Sequence, residues 1–271
     1  MANFIKVALS GSGFRLPAHI GALAAIEDAG YTVSEIVGTS GGAIVASLYA
    51  CGMRPSDMKK LAMNYDWSSI LHLDLWSGVR NGAYCSGSDL YNFLYKYTNG
   101  RLFGSLKMPL KIVASDIRSE SEVCFSIEQN TLMPIALAAR ASASIPFVFL
   151  PVHYNDYVLV DGGCCNNIPV SHLSSGGVRL GVYLVTDDSA IQGDMSLMQI
   201  AGRTIDLILA QSEDARIDAS RASTIVRVPT SYAGSLDTKM PLAIRQKLYN
   251  DGYNSISHAL AGLRQSQFRP R

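Results

Sequence analysis

The chain is short of charge. Only 17% of its 271 residues are Asp, Glu, Lys or Arg, and the formal net charge is +1. So weak a field excludes a binder that holds nucleic acid by a basic surface, and no nucleic-acid partner is expected. Cysteine is scarce and badly placed for metal or redox work. The five, Cys51, Cys85, Cys124, Cys164 and Cys165, are odd in number and include no C-x-x-C pair. Neither a zinc site nor a disulfide framework is expected, and the adjacent Cys164 and Cys165 read as packing. No run of about 18 apolar residues occurs, so no transmembrane helix is expected. The first residues enter a strand directly, without the charged start and apolar middle of a signal peptide. A reducing, cytoplasmic setting is the expectation.

Two phosphate-binding signatures are missing as well. The glycine-rich loop Ser10-Gly11-Ser12-Gly13-Phe14-Arg15 fails the G-x-G-x-x-G spacing because Leu16 stands at the last position. The Lys-Ser/Thr pair of a phosphate loop is also lacking. Bare backbone N–H donors remain, suited to a transient oxyanion, although a plain turn has the same composition. Arg15 either fixes this loop or attracts an anionic head group. No ligand-spaced His/Cys cluster is present, so neither metal nor other cofactor is expected.

Apolar residues make up 48% of the chain, enough for a sizeable core. Strand patterns at 4–9, 32–37, 110–114, 123–127, 157–160, 179–185 and 224–228 alternate with helical ones. The helical segments are 18–29, 43–50, 56–64, 89–97, 133–141, 195–219 and 240–263. That alternation predicts a single α/β domain with a mainly parallel sheet. The pattern loosens over 65–106, where Trp67, Ile70, Leu71, Leu73, Leu75 and Trp76 give an aperiodic apolar stretch. This segment reads as a cap or lid beside the site, or residue by residue as plain core. A mostly helical part follows over 190–271.

The chemistry centres on Gly38-Thr39-Ser40-Gly41-Gly42. A strand runs into it and a helix leaves it, and the glycines flank Ser40 as G-x-S-x-G. That spacing suits a nucleophile elbow, a strained turn that lifts a serine hydroxyl clear of the backbone. The following helix aims its unpaired N–H groups and positive dipole end at the same place. An ordinary glycine-rich turn shares the spacing, so context must decide. Asp161-Gly162-Gly163 closes a later strand, where open α/β sheets place ligand chemistry, and where a turn-forming Asp is also common.

Taken together, Gly11-Ser12-Gly13-Phe14-Arg15, Gly38-Thr39-Ser40-Gly41-Gly42 and Asp161-Gly162-Gly163 resemble the patatin-like phospholipases. Arg140-Ala141-Ser142-Ala143-Ser144-Ile145-Pro146 and Asn166-Asn167-Ile168-Pro169 look like that family too. The resemblance covers about residues 5–185. It implies a three-layer α/β/α fold and one acyl-hydrolase domain over 1–271. It also implies a lipid ester substrate met by transient contact with a membrane surface. Ser40 would be the nucleophile and Asp161 its base, without a histidine. The loop of Gly11, Ser12 and Gly13 would supply oxyanion N–H groups, foremost those of Ser12 and Gly13; Arg15, from its place in that loop, is the candidate substrate-binding residue. The family usually has glycine where this chain has Ser12 and Leu16. Neither change removes an N–H, but both residues resist φ > 0.

Two other readings stay open at this level. The order Ser40, Asp161, then His172 or His258 fits a Ser-Asp-His esterase, although both histidines fall on expected helices. His19 reads as a structural helix residue. The altered loop also fits a catalytically weak lipid-binding or interaction protein on the same fold.

Overall fold

The computed structural model describes residues 3–71, 83–185 and 223–267. Eight strands form one sheet, in the order β5-β6-β3-β2-β1-β7-β8 with β4 on the other edge of β3. The central five are β1 (Asn3–Leu9), β2 (Tyr31–Thr39), β3 (Leu110–Asp116), β7 (Val178–Val185) and β8 (Thr224–Pro229). They pair in parallel throughout. β4 (Ser121–Phe125), β5 (Val152–Tyr154) and β6 (Tyr157–Val160) form an antiparallel margin.

The inner strands are apolar runs because both of their faces are covered. Side chains alternate between two cores. Ile5, Val7 and Leu9 of β1, with Ile36, Ile112, Leu180 and Val182, enter the larger core. Ala8, Val37, Val113 and Tyr183 point the other way, against Ile168, Val170 and Leu173. The larger core also takes residues of α1 (Leu16–Asp28), α2 (Gly41–Ala50), α3 (Pro55–Asn64), α4 (Ser88–Tyr97) and α6 (Ile135–Ser142). The short α5 (Ile127–Asn130) and the C-terminal α7 (Leu242–Gln267) complete the α-helices among the described residues. α1 and α7 meet backbone to backbone. A Cβ on Gly21 would lie 2.0 Å from the Tyr249 carbonyl oxygen, and one on Gly252 would lie 1.9 Å from that of Ala18. Among the described residues no helix is long and apolar enough to cross a membrane.

The departures from expectation are local. β5 has three residues, too few for a period to show. α4 begins without a side-chain cap. The cap is Gly87, in the left-handed region at φ 77°, where a Cβ would lie 1.9 Å from the Arg140 guanidinium. Trp67 is core, with 5% of its surface exposed. Its indole N–H donates to the Ala62 carbonyl at 3.1 Å, and its ring packs against Tyr65, Phe93 and Phe14. Of the two readings left open for this segment, Trp67 takes that of plain core, in an aromatic cluster that fastens 65–71 to α4. Leu73, Leu75, Trp76 and the expected helix over 195–219 lie outside the described residues.

Candidate active site

The topology carries Ser40 and Asp161 to one point. β2 pairs with β3 from Ile36 to Thr39, opposite Leu110 to Val113, and then turns away at Ser40. The antiparallel β6 takes over the same edge of β3, with Val160 opposite Ser115. β2 leaving and β6 arriving thus meet head on along one neighbour. The next residue after β6 is Asp161, and its side chain reaches the last turn of β2.

Ser40 sits at φ 53°, ψ −125°, a region that costs a non-glycine residue about 1–3 kcal/mol. The flanking glycines make the turn possible. A Cβ on Gly38 would come within 2.6 Å of the Ala43 Cα and the Gly42 carbonyl oxygen. On Gly42 it would lie 2.4 Å from the Ser10 carbonyl oxygen. Ser142 holds the turn from outside: its Oγ accepts the Ser40 N–H at 2.8 Å and donates to the Val113 carbonyl at 2.5 Å.

The Ser40 hydroxyl donates to Asp161 Oδ2 at 2.6 Å. The other carboxylate oxygen, Oδ1, accepts the Gly163 N–H at 2.8 Å. Asp161 is 2% exposed. Burial raises its pKa from 3.8 to about 6, against the opposing pull of the hydrogen bonds from Ser40 and Gly163. Its backbone is fixed too, because Asp161 N–H donates to the Ser144 carbonyl at 2.9 Å. Ser144 Oγ in turn accepts from Arg140. The buried Arg140 guanidinium also donates to the Ser86, Gly87 and Leu150 carbonyls, joining the segment before α4 to the one between α6 and β5.

The first glycine-rich loop lies over the elbow. A Cβ on Gly41 would fall 2.1 Å from Ser12 Oγ and 3.1 Å from the Gly13 nitrogen. Neither Ser12 N–H nor Gly13 N–H has an acceptor among the described residues. The first N–H groups of α2, from Gly41 on, lack intrahelical acceptors by construction. The loop carrying Ser12 and Gly13 thus packs against Gly41, the residue after Ser40. Gly11 differs from the expectation, since its N–H already donates to the Asn167 carbonyl at 3.0 Å and to Asn167 Oδ1 at 3.1 Å. It anchors the loop and has no N–H to spare for an oxyanion. The unusual Ser12 and Leu16 are accommodated without strain. In this loop only Gly13 has positive φ, at 54°, and Leu16 is simply the first residue of α1.

Arg15 is 1% exposed, which removes it from any open anion-binding surface. Its Nε donates to the Ser12 carbonyl at 3.0 Å, and one terminal nitrogen reaches Thr230 Oγ1 and the Val185 carbonyl at 3.3 Å. Those contacts make it a brace for the loop. His19 is a second brace. Its Nε2 lies 2.8 Å from the Ser10 carbonyl, and burial lowers its pKa to about 3, so the neutral ring donates there.

Among the described residues no histidine is hydrogen-bonded to Asp161. His172 Nε2 is 2.8 Å from Glu122 Oε1, and hydrogen bonds to Cys124 and Glu122 raise its pKa to about 9. His258 lies on α7. Among the described residues no group of three His, Cys, Asp or Glu side chains is placed to hold a metal ion.

Sequence reasoning quoted Ser142, Ser144 and Asn167 only as motif members. Their work, holding Ser40, Asp161 and Gly11, depends on contacts 102, 17 and 156 residues apart, which no local pattern encodes.

A family model for patatin-like phospholipase matches residues 7–174. The chain is 30% identical over 177 residues to the probable lipid hydrolase 463L of invertebrate iridescent virus 6, covering 60% of each protein. It is 28% identical over 192 residues to the uncharacterized protein YqhO of Bacillus subtilis, covering 62% of this chain and 66% of the relative. The chain thus spans less than two thirds of the length of these curated relatives. Among solved structures, VipD of Legionella pneumophila superposes on 96% of this chain and 67% of its own, with TM-score 0.67 at 15% identity. The type III effector protein ExoU gives TM-score 0.57 at 18% identity, over 96% of this chain and 53% of its own. These two share the fold. The elbow, the acid after β6 and the loop after β1 all fall inside the matched residues, and the chain belongs to the patatin-like phospholipase family.

Proposed function

We propose that this protein is a lipid acyl hydrolase of the phospholipase A or lysophospholipase type, working through a Ser40–Asp161 dyad and an acyl-enzyme. The observation that carries this reading is the 2.6 Å hydrogen bond from the strained Ser40 hydroxyl to a buried carboxylate. The membership of the chain in a phospholipase family and the name of its viral relative support a lipid ester as substrate.

A serine hydroxyl is a weak nucleophile until a base takes its proton. A solvated carboxylate is too weak a base, and one buried to a pKa near 6 is better matched. In the first half-reaction Ser40 Oγ attacks the ester carbonyl carbon and its proton moves to Asp161 Oδ2. The oxyanion forms among the N–H groups of Ser12, Gly13 and Gly41, where preformed donors need no reorganisation. The bond to the alcohol then breaks, and Asp161 returns the proton to the departing oxygen. In the second half-reaction water attacks the acyl-serine and gives its proton to Asp161. The acid leaves and Ser40 regains its hydrogen.

The test is covalent. A fluorophosphonate probe labels the wild-type protein and fails to label Ser40→Ala. Labelling that persists in Ser40→Ala removes Ser40 from the mechanism. A Ser-Asp-His reading would require His172→Ala or His258→Ala to abolish turnover with Asp161 intact.

A further inference from the structure

At the far end of α2 from Ser40 the surface opens into a cleft of about 760 Å³. α2 begins at the elbow and ends at Ala50, and Ala50 and Cys51 line this cleft together with Tyr31 and Val33 at the start of β2. Ten helical residues put roughly 15 Å between the two places, so the cleft is separate from the ester chemistry.

Its polar lining is one-sided. Arg54, Arg101 and Lys107 come from two connections far apart in sequence: Arg54 from the link between α2 and α3, and Arg101 and Lys107 from the link between α4 and β3. All three are exposed, and none has an ion-pair or side-chain hydrogen-bond partner among the described residues. The lining contains one carboxylate, Glu27, and the Tyr49 hydroxyl already donates to it at 2.8 Å. The cleft therefore gathers an excess of positive charge in a chain whose net charge is only +1. Arg54 also suits the negative end of α2, but that role does not call Arg101 and Lys107 in from another segment.

We propose that this cleft binds the phosphate group of a phosphate monoester. Two guanidinium forks and an ammonium match a doubly charged, three-oxygen anion, whereas a single carboxylate would leave two cations unanswered. The volume lies within the range of small-molecule sites, about 300–1,000 Å³. The phosphate belongs either to a free metabolite or to a lipid head group, and the site presents the same chemistry to both.

The experiment uses the Ser40→Ala protein, so that no probe is turned over. Glycerol 3-phosphate is titrated calorimetrically with glycerol as control. Phosphatidylcholine vesicles with and without phosphatidic acid are tested by co-sedimentation. Binding of glycerol 3-phosphate identifies a free phosphate ligand, and binding only to the phosphatidic acid vesicles identifies a head group. In either arm Arg101→Gln weakens binding about tenfold, the loss of one charge-assisted contact. The pair Arg54→Gln and Lys107→Gln brings it below detection. Glu27→Gln keeps an acceptor for Tyr49, removes the opposing charge and tightens binding severalfold. Absence of binding in both arms overturns the proposal. So does equal weakening by Lys239→Gln, an exposed cation outside the cleft, because that result describes diffuse surface attraction.

Discussion

Ser142 accepts the Ser40 backbone N–H at 2.8 Å, while its own hydroxyl hydrogen goes to Val113 on the neighbouring strand. Ser40, the proposed nucleophile, is thereby tied to β3 through a side chain outside the proposed dyad. Ser142→Ala leaves two buried groups without partners, each worth about 1–3 kcal/mol. The expected outcome is a lower unfolding midpoint together with a kcat reduced roughly tenfold to a hundredfold, because Ser40 is no longer held at its strained φ. KM moves little, since no binding contact is lost. Denaturant melts and initial rates on a soluble ester check both effects.

On the proposed mechanism Asp161 sets the pH dependence. With a pKa of about 6 it is protonated in mildly acidic solution and cannot take the Ser40 proton. The rate constant kcat/KM on a soluble ester is expected to rise through about pH 6 and level off above it. Asp161→Asn removes the base and lowers the rate about 10²–10⁴-fold at every pH. A profile centred near 9, the value of His172, would point to the imidazole instead.

The same carboxylate burdens the fold. Its pKa is higher in the folded protein than the ordinary 3.8, so the folded state holds the proton more tightly than the unfolded chain does. Stability contributed by the protonated form is complete below about pH 4 and is lost as pH rises through about 6. The loss at neutral pH is about 3 kcal/mol, from about 1.4 kcal/mol per pKa unit. Asp161→Asn is therefore expected to melt higher than the wild type at pH 8, with the gap closing toward pH 4. Equal midpoints across that range would contradict the burial effect.

The central sheet was legible in the sequence because its strands are long apolar runs or alternate cleanly, as Phe4 to Leu9 and Arg179 to Val185 do. Ser40 stood out for a steric reason, since the Gly38 and Gly42 positions tolerate no Cβ. The path of β6 along the edge vacated by β2 was not legible, because it depends on pairing Ser115 with Val160 across 45 residues. Of the two roles open to Arg15, fixing the loop and attracting a head group, only the first is seen, and the sequence could not choose between them. The burial of Arg15 depends on Thr230 and Val185, which arrive from strands far along the chain. Gly11 was assigned an oxyanion N–H that Asn167 claims from 156 residues away.

The loop tolerates its family-atypical serine. Ser12 has no positive φ, and its hydroxyl only caps the neighbouring Gly13 carbonyl at 3.2 Å. Ser12→Gly keeps the backbone N–H while adding chain entropy to the unfolded state, about 0.4–1 kcal/mol. The expected outcome is a kcat within a few-fold of the wild type and a slightly lower melting point. A hundredfold loss would mean that the hydroxyl itself touches the reacting ester. Arg15→Ala is expected to do more harm, because the Ser12 carbonyl and Thr230 lose their shared donor.

Trp67 separates a surface device from a packing element. Its ring centroid lies 5.0 Å from that of Tyr65 and 5.4 Å from that of Phe93, and its N–H is spent on Ala62. Aromatic residues buried in this way cost about 3–5 kcal/mol when truncated to alanine, by lost transfer free energy and by the cavity left behind. Trp67→Ala is expected to lower the melting midpoint markedly and to reduce the folded fraction. Rates on phosphatidylcholine vesicles and on a water-soluble ester should then fall in the same proportion when normalised to total protein. Normalised to folded protein, both should return toward the wild-type value, since the ring touches neither Ser40 nor Asp161. A membrane anchor would behave differently: vesicle hydrolysis alone would drop, at unchanged stability. The burial of Trp67 at 5% exposure leaves the indole nothing to offer a bilayer until the cluster with Tyr65 and Phe93 has come apart.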